Sequence, residues 1–361
     1  MLPKLNGKEL SRNISDYLLE NGAISVGFST RETLADSPPS ADITYLMENG
    51  LSAVTFAVPL NKEGIRPYLA KEDRFILDLP VTRTGLTSQE ISDGLAEMIG
   101  GDGHQAISTS GNLKYRTEVE NWQSFMPPDI SHRYLAVASG AGSFGWSGNV
   151  GVKGYGTAIL LATVLTDAQL EPTLPIPPEE SFCSDCRACA GACPMEMFSA
   201  TEEMSFTLGG REYAYAARID LLRCMICCGG ATGMHKSRKW SSWSPGRFEV
   251  PEDRNDLLPM VSRMIDSSQN RPPMGGEFTV PYGESSKSEN EDVFEITFTR
   301  TCTVCALVCT GDKKENLENL RMLRGSGCAI QYPDGSLEVL PGDEAEVEFN
   351  RMPPEHKALY C

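Results

Sequence analysis

The feature that most constrains this chain is a run of four cysteines that begins at Cys183 and ends before Pro194. It reads C-x2-C-x2-C-x3-C-P without a mismatch, which is the bacterial arrangement that binds a 4Fe–4S cluster. In proteins with two such clusters, the fourth cysteine of the run binds the other cluster. The run therefore predicts an iron–sulfur protein with a second cluster. The alternative is a zinc site or free thiols, although zinc sites more often use paired C-x2-C knuckles.

A second cysteine run begins at Cys302 and ends at Cys309, and its C-x2-C-x3-C spacing is one ligand short. The nearest sensible source of the missing thiolate is Cys224, and Cys227 or Cys228 could replace it. Exchanging the last cysteine of each run then gives two complete sets. The predicted ligands of cluster one are Cys183, Cys186, Cys189 and Cys309, and those of cluster two are Cys193, Cys224, Cys302 and Cys305.

Length and charge limit what such clusters can serve. The chain has 361 residues, too many for a ferredoxin alone, and this length predicts two or three domains. The net charge is −17, and the densest basic segment, residues 235–239, is short, which argues against a nucleic-acid partner. Cys328 and Cys361 fall outside both cysteine sets and are expected to be ordinary thiols.

Cysteine usage and hydropathy predict the compartment. Cluster spacing in a chain of this length indicates reduced thiols in a reducing compartment. The sequence shows no signal-peptide pattern, and its longest mainly apolar run, residues 158–165, is far shorter than a membrane span. We therefore expect a soluble, cytoplasmic protein without a membrane partner. The sequence leaves the oligomeric state open.

Hydrophobic periodicity in the first half predicts an α+β fold in layers. Residues 129–139 are ambiguous between helix and strand, and the proline-rich residues 171–178 predict an extended connector at a domain boundary. The predicted strands cover residues 23–28, 51–60, 106–109 and 156–166, and the predicted helices cover residues 7–21 and 88–99.

Beyond the connector, we expect an iron–sulfur domain at residues 176–312, with an insertion at about 229–295, and a C-terminal extension at 313–361. The acidic residues 281–292 predict a mobile surface loop. The other expected elements are a turn at 209–210, a helix leading into Cys224, a short helix at 261–265, a strand at 294–298, a helix at 315–323 and a hairpin at 328–340.

The candidate site for an electron acceptor is the glycine-rich segment 140–154, which contains six glycines. Such a density lets backbone approach a large flat ligand closely. Residues 140–145 also match G-x-G-x-x-G, the pattern of nicotinamide dinucleotide sites. The match is weak because the residues that follow do not look like the start of a helix. A flavin is an equally open alternative.

One combination of motifs resembles a known family. Asp129, the later Gly145-Trp146-x-Gly148, the strand that ends before Asp167 and the two cysteine runs resemble the epoxyqueuosine reductases and their relatives, the reductive dehalogenases. The resemblance covers about residues 1–310. It implies a nitroreductase-like α/β domain, residues 1–175, that holds a cobalamin with its lower base detached, and a ferredoxin-like domain that delivers electrons one at a time to cobalt.

The resemblance also implies roles for single residues. Asp129 occupies the position of the acid that protonates the substrate, and such an acid would need a pKa raised by burial. The alternative for Asp129 is a helix N-cap, because it follows two prolines. His132 is expected at the surface. The implied cofactor-binding residues are Gly145, Trp146, Gly148 and Asn149.

The implied function is reductive cleavage, of the epoxide-deoxygenation or dehalogenation type, with electrons from a ferredoxin or flavodoxin. The chain departs from the family at Asn149, where the family usually has Lys, and at Thr310, where the second run usually ends in Cys-Pro. The acidic charge suits tRNA poorly, so a small-molecule substrate is expected. The alternatives are a non-catalytic electron carrier, a corrinoid-handling protein and a flavin-dependent iron–sulfur reductase.

Overall fold

The computed structural model describes residues 5–361 except residues 110, 112–113, 121, 123–125, 277 and 285–293. Helices and strands alternate through the described part, and the fold is α+β. The helices are α1 Gly7–Glu20, α2 Ile65–Leu69, α3 Phe75–Gly101, α4 His132–Ala138, α5 Ala188–Gly191, α6 Leu221–Cys228, α7 Leu257–Asn270, α8 Val304–Leu307, α9 Lys313–Gly325, α10 Gly342–Arg351 and α11 Pro354–Lys357. The strands are β1 Ser25–Thr30, β2 Ser52–Pro59, β3 Ala106–Thr109, β4 Lys114–Tyr115, β5 Ser143–Phe144, β6 Val150–Gly151, β7 Ile159–Thr166, β8 Phe198–Leu208, β9 Arg211–Arg218, β10 Phe278–Glu284, β11 Phe294–Phe298, β12 Cys328–Gln331 and β13 Leu337–Leu340.

The N-terminal part is organised by an antiparallel sheet in the order β1-β2-β7-β3. Alternate residues of a strand point to opposite faces. Accordingly, Val54 and Phe56 pack with the apolar stripes of α1 and α3 on one face, whereas Ala53 packs with α4 residues such as Leu135 on the other. The sheet therefore lies between helices, which is the layered arrangement that the periodicity predicts.

Most predicted elements of the first half are confirmed within a few residues, and α3 is the main exception. It begins at Phe75 rather than Ser88, because Pro80, Gly85 and nearby β-branched residues hide the helical pattern in its first half. The ambiguous segment 129–139 contains a helix, α4. Its N-cap is Ser131, whose side chain accepts a hydrogen bond from the Tyr134 backbone N–H.

The second half contains the cysteine runs and three small sheets. β8 and β9 form a hairpin whose turn, residues 209–210, was predicted, and β12 and β13 form the predicted C-terminal hairpin. α7 extends well beyond the predicted 261–265. The predicted mobile loop at 281–292 is wrong for residues 281–284, which belong to β10, and the rest of it lies outside the described residues.

One apolar core crosses the predicted domain boundaries. It joins Leu69 of α2 to Cys227 of α6, Val304 of α8 and Leu323 of α9. The strand β10 also pairs in parallel with β4, which connects the insertion to the N-terminal part. These contacts join segments that were assigned to different domains. The domain limits at residues 175 and 312 therefore stay a prediction. No helix in the described part of the chain combines the length and apolarity needed to cross a bilayer.

Candidate electron-transfer site

The first cysteine run forms a compact loop that ends in the short helix α5. Asp185 and Arg187 have φ values of 51° and 56°, in the left-handed region that tightens the chain between successive cysteines. Cys193, the last member of the run, is buried. The second run lies on α8 and its flanks, and the Cys309 backbone oxygen accepts a hydrogen bond from the Thr157 N–H at 3.1 Å.

The structure brings the cysteines of the two runs together in two groups. Cys309 interacts electrostatically with the first three thiols of the first run. Cys193, the fourth, instead interacts with Cys302, Cys224 and Cys305. The Asn316 amide lies 3.5 Å from the Cys186 sulfur and 3.7 Å from the Cys309 sulfur. Each group therefore contains one cysteine from the other run, as crossed ligation requires, and the ligation itself stays a prediction.

Burial raises the pKa of several of these thiols, which makes them hard to ionise without a cation. It raises the pKa of Cys189 to about 11 and that of Cys193 to about 12, and it raises the pKa of Cys305 well above its usual range. Bound iron supplies the positive charge that such sulfurs need to become thiolates. Two groups of cysteine sulfurs, each supplying four ligands, are therefore a donor set that fits two 4Fe–4S clusters.

Within the described residues, no three Cys, His, Asp or Glu side chains are arranged to hold a single metal ion. A 4Fe–4S cluster is ligated differently, because each thiolate binds a different iron of the cluster and the ligands stand further apart. The two groups are therefore compared with a cluster rather than with a single zinc ion.

Helix α6 contains the three candidates for the predicted eighth ligand. Cys224, Cys227 and Cys228 fall within one turn and a half of this helix. The sulfurs of Cys224 and Cys228 lie 3.9 Å apart, and Cys227 is hydrogen-bonded to the side chain of Cys302. The sequence left open which of these three cysteines is the eighth ligand. In the structure, the three side chains lie close together.

The segment 145–149 lies directly on the first cysteine run. The Trp146 backbone N–H donates a hydrogen bond to the Cys183 sulfur at 3.3 Å, and Ser147 is hydrogen-bonded to Cys189. Arg218 of β9 donates to the Ser147 carbonyl at 3.1 Å and to the Asn149 side-chain oxygen at 2.9 Å. This segment therefore joins the N-terminal layers to the ligands of cluster one.

These contacts test whether the segment could cradle a corrin ring. A Cβ on Gly145 would lie 2.9 Å from the Phe182 ring, and a Cβ on Gly148 would lie 2.6 Å from the Tyr215 ring. The Trp146 ring is itself covered by the Arg187 guanidinium, 4.9 Å from the ring centroid. The segment packs closely against the cysteine loop, and its role in cofactor binding stays a prediction.

The glycine-rich segment 140–154 serves close packing within the chain at most of its glycines. A Cβ on Gly140 would meet the Leu174 carbonyl at 2.2 Å, whereas one on Gly154 would meet nothing within 4 Å. Residues 140–145 follow a helix and lead into the short strand β5. The strand–turn–helix context of a dinucleotide fingerprint is therefore not present around them.

Asp129 is buried, with 6% of its surface exposed, and its backbone N–H donates to the Lys114 carbonyl at 3.2 Å. The helix-cap alternative for Asp129 is wrong, because Ser131 caps α4. The expectation of a surface His132 is also wrong. Its exposure is 5% and its Nδ1 lies 2.9 Å from the Thr163 hydroxyl, because the first turn of α4 faces the sheet.

Two basic residues lie beside the thiols predicted to bind cluster two, and no pattern in the sequence indicated them. Arg218 interacts electrostatically with Cys224 and Cys305, and Lys71 interacts with Cys302. Lys71 is 7% exposed and its ammonium donates to the Ser326 hydroxyl. Burial lowers the pKa of Lys71 to about 7, and nearby thiolates oppose that shift. Lys71 is distant in sequence from every cysteine, so only the fold brings it there.

No protein-family model matches the chain, and no curated protein matches it significantly. Solved structures show low similarity. A reductive dehalogenase, whose structure suggests a mechanism for B12-dependent dehalogenation, is 18% identical with a TM-score of 0.49, over 75% of this chain and 38% of that chain. A tagged catabolic reductive dehalogenase is 19% identical with a TM-score of 0.45, over 58% and 28%.

Epoxyqueuosine reductase from Bacillus subtilis is 16% identical with a TM-score of 0.37, over 64% of this chain and 60% of that chain. The chain thus spans less than two thirds of the length of each of these proteins. TM-scores below 0.5 do not establish an activity.

Proposed function

We propose that this chain is an iron–sulfur reductase in which two 4Fe–4S clusters pass electrons singly to an acceptor bound at the N-terminal layers. The observation that carries the proposal is the pair of thiol groups, each assembled from both cysteine runs. Buried ligands and hydrogen bonds to sulfur are the means by which proteins set cluster potentials. Two clusters in one chain would form a path for electron transfer, which favours a redox role over a purely structural one.

We further propose, from the sequence resemblance, that the acceptor is a base-off cobalamin and that the reaction is reductive cleavage of an epoxide or a carbon–halogen bond. A cobalamin would supply a low-potential metal centre. The resemblance implies contacts from segment 145–149, where the aromatic rings of Phe182 and Tyr215 already lie against two glycines. The net charge of −17 favours a small-molecule substrate over tRNA, and a low-potential ferredoxin or flavodoxin would be the donor.

The chain's own residues have definable tasks in this scheme. The Trp146 N–H donates to the Cys183 sulfur, and this hydrogen bond would stabilise the more negative, reduced form of a cluster bound there. Arg218 contacts segment 145–149 and interacts with thiols of cluster two, so its positive charge lies between the two groups. Asp129, buried beside α4, would hold the proton that a reductive cleavage consumes.

The proposal is tested by EPR of anaerobically reconstituted protein to which cobalamin has been added. The expected result is a base-off cob(II)alamin signal together with reduced-cluster signals after treatment with a low-potential reductant. Clusters without retained cobalamin would reject the cobalamin step and leave the electron path standing. Bound flavin in purified protein would instead identify a flavin-dependent reductase.

The second candidate is an electron carrier or corrinoid-handling protein without turnover. The observation that favours it is the close packing of segment 145–149 on the cysteine loop, where a cofactor cradle was expected. This candidate predicts two clusters, no substrate turnover and no effect of Asp129→Asn on any rate. Halide release or epoxide loss by the intact protein would exclude it.

A further inference from the structure

The surplus thiols of α6 lie where cluster two needs one ligand. Cys193, Cys302 and Cys305 supply three thiolates to that cluster, and one more is required. Cys224 and Cys228 are separated by four residues, so they lie one above the other on the same face of the helix. Their sulfurs are 3.9 Å apart. An iron within bonding distance of one sulfur is therefore within a side-chain rotation of the other.

The backbone around this pair is held in place. The Asp220 side chain caps α6 by accepting from the Leu222 N–H at 2.9 Å. At the other end, the Thr301 N–H donates to the Cys228 carbonyl at 3.1 Å, and the Thr301 hydroxyl donates to the Cys227 carbonyl at 2.8 Å. The helix end and the second cysteine run are thus one unit, and a change of ligand needs rotation about cysteine χ1 only.

Both sulfurs already face the ligands of cluster two. The Cys228 sulfur lies 3.1 Å from the Cys302 carbonyl, and Cys224 interacts electrostatically with Cys302. Cys193 and Cys305 both interact with Cys224. Cys227 also interacts with Cys302 and Cys193, but it is the most buried of the three α6 thiols, at 2% exposure.

We propose that cluster two accepts either Cys224 or Cys228 as its fourth protein ligand, so that one of its irons has an exchangeable thiolate. This inference rests on the proposed two-cluster centre. In the exchange, the iron–sulfur bond to Cys224 breaks and one to Cys228 forms. The Cys228 proton passes to the Cys224 sulfur, so no electron is gained or lost. Cluster two then exists in two ligation forms and survives loss of either residue.

The test compares Cys224→Ala, Cys228→Ala and the double variant, with Cys361→Ala, an exposed thiol outside both cysteine sets, as the control. Alanine is used because a serine oxygen could itself bind iron. Each protein is reconstituted anaerobically and assayed for iron, for acid-labile sulfide and by EPR. Each single variant should keep roughly eight irons per chain, and the double variant should keep roughly four. The EPR signal of cluster one should persist in every variant and shows that the fold is intact.

A single variant at Cys224 that falls to roughly four irons would show a fixed ligand and overturn the proposal. So would a double variant with a full iron content, which would leave the eighth ligand to another residue such as Cys227. If the double variant does not fold, the wild-type spectrum decides. It should contain two overlapping signals for cluster two, each isolated in one single variant, and a single signal unchanged in both would contradict the exchange. Wild-type protein with far fewer than eight irons would refute the proposed function itself.

Discussion

A substitution at Asp129 distinguishes most directly between the two candidate functions, a reductase and an electron carrier. The substitution Asp129→Asn preserves its shape and removes its proton, so turnover should fall by about 10²- to 10⁴-fold while iron content stays the same. The measurement is substrate reduction under saturating reductant. Ser131→Ala is the matched control, because it removes the helix cap and costs about 1 kcal/mol of stability without touching the proton donor. Equal turnover in wild type and Asp129→Asn would favour the carrier.

Lys71 should tune the potential of cluster two. An ammonium buried near Cys302 stabilises the reduced, more negative cluster, so Lys71→Met should lower the midpoint potential by on the order of tens of millivolts. The pKa of Lys71 is lowered to about 7. The ammonium is therefore lost as the pH rises through that value, and the difference between the proteins should shrink above it.

EPR-monitored redox titrations measure this effect. Lys236→Met is the control, because Lys236 is an exposed cation whose charge water and salt screen. A midpoint potential that is the same in Lys71→Met and wild type at low pH would contradict the role assigned to Lys71.

At the scale of single residues, the sequence is most informative where the spacing of cysteines indicates a ligand set. The crossed sharing of Cys193 and Cys309 is predicted from the runs alone. Each of the two thiols interacts with cysteines of the other run, and the ligation itself stays a prediction. The choice of eighth ligand could not follow, because three thiols share one helical turn and a half. Lys71 could not be found, because no local pattern marks a residue that only tertiary packing brings to a cluster.

Segment 145–149 connects the N-terminal layers to the first cysteine run. Alanine substitutions at two glycines, one inside this segment and one outside it, test how closely the segment is packed. Gly148 and Gly154 have φ values of 72° and 83°, so alanine at either position costs about 1–2 kcal/mol of backbone strain. At Gly148 the new Cβ would also overlap the Tyr215 ring, whereas at Gly154 it would meet open space. Gly148→Ala should therefore destabilise the protein by about 1–3 kcal/mol more than Gly154→Ala.

Chemical denaturation of the two variants under anaerobic conditions gives the comparison. Equal losses of unfolding free energy would contradict the close packing of this segment. The iron content of Gly154→Ala should match that of wild type, which separates strain in the backbone from damage to cluster one.

Elements with long buried runs were predicted well, because burial on both faces leaves a continuous apolar signature, as in β2 and β7. α3 and α7 were predicted too short, since each contains a proline in its first two turns that masks the helical period. The glycine-rich segment leaves a different question open. Glycine density signals close approach to something, and the sequence does not say whether a ligand or the chain itself approaches.

At the scale of the whole molecule, the cysteines are part of the core. Cys227 and Cys302 pack in the same apolar core as residues from α2, α8 and α9, so cluster binding and folding are coupled. Anaerobic removal of iron by a chelator should lower Tm by about 10 °C or more. Differential scanning fluorimetry of loaded and stripped protein measures this shift. An unchanged Tm would show that the thiol groups fold without their metal.

The apolar core is shared by segments that were assigned to different domains, and this limits how well the sequence could predict the domain boundaries. The proline-rich connector marks a change in composition, yet α9 of the C-terminal extension packs on the N-terminal part through the core that includes Leu69 and Leu323. Composition indicates where the chain is extended. Contacts between distant segments leave no periodic signal in the sequence.

The measurement that tests the central claim most directly is the iron and acid-labile sulfide content of the anaerobically purified chain, read together with its EPR spectrum after reduction. The account predicts roughly eight irons and eight sulfides per chain, with the broadened spectrum of two nearby reduced clusters. Zinc in place of iron, or roughly four irons with the signal of one isolated cluster, would contradict it.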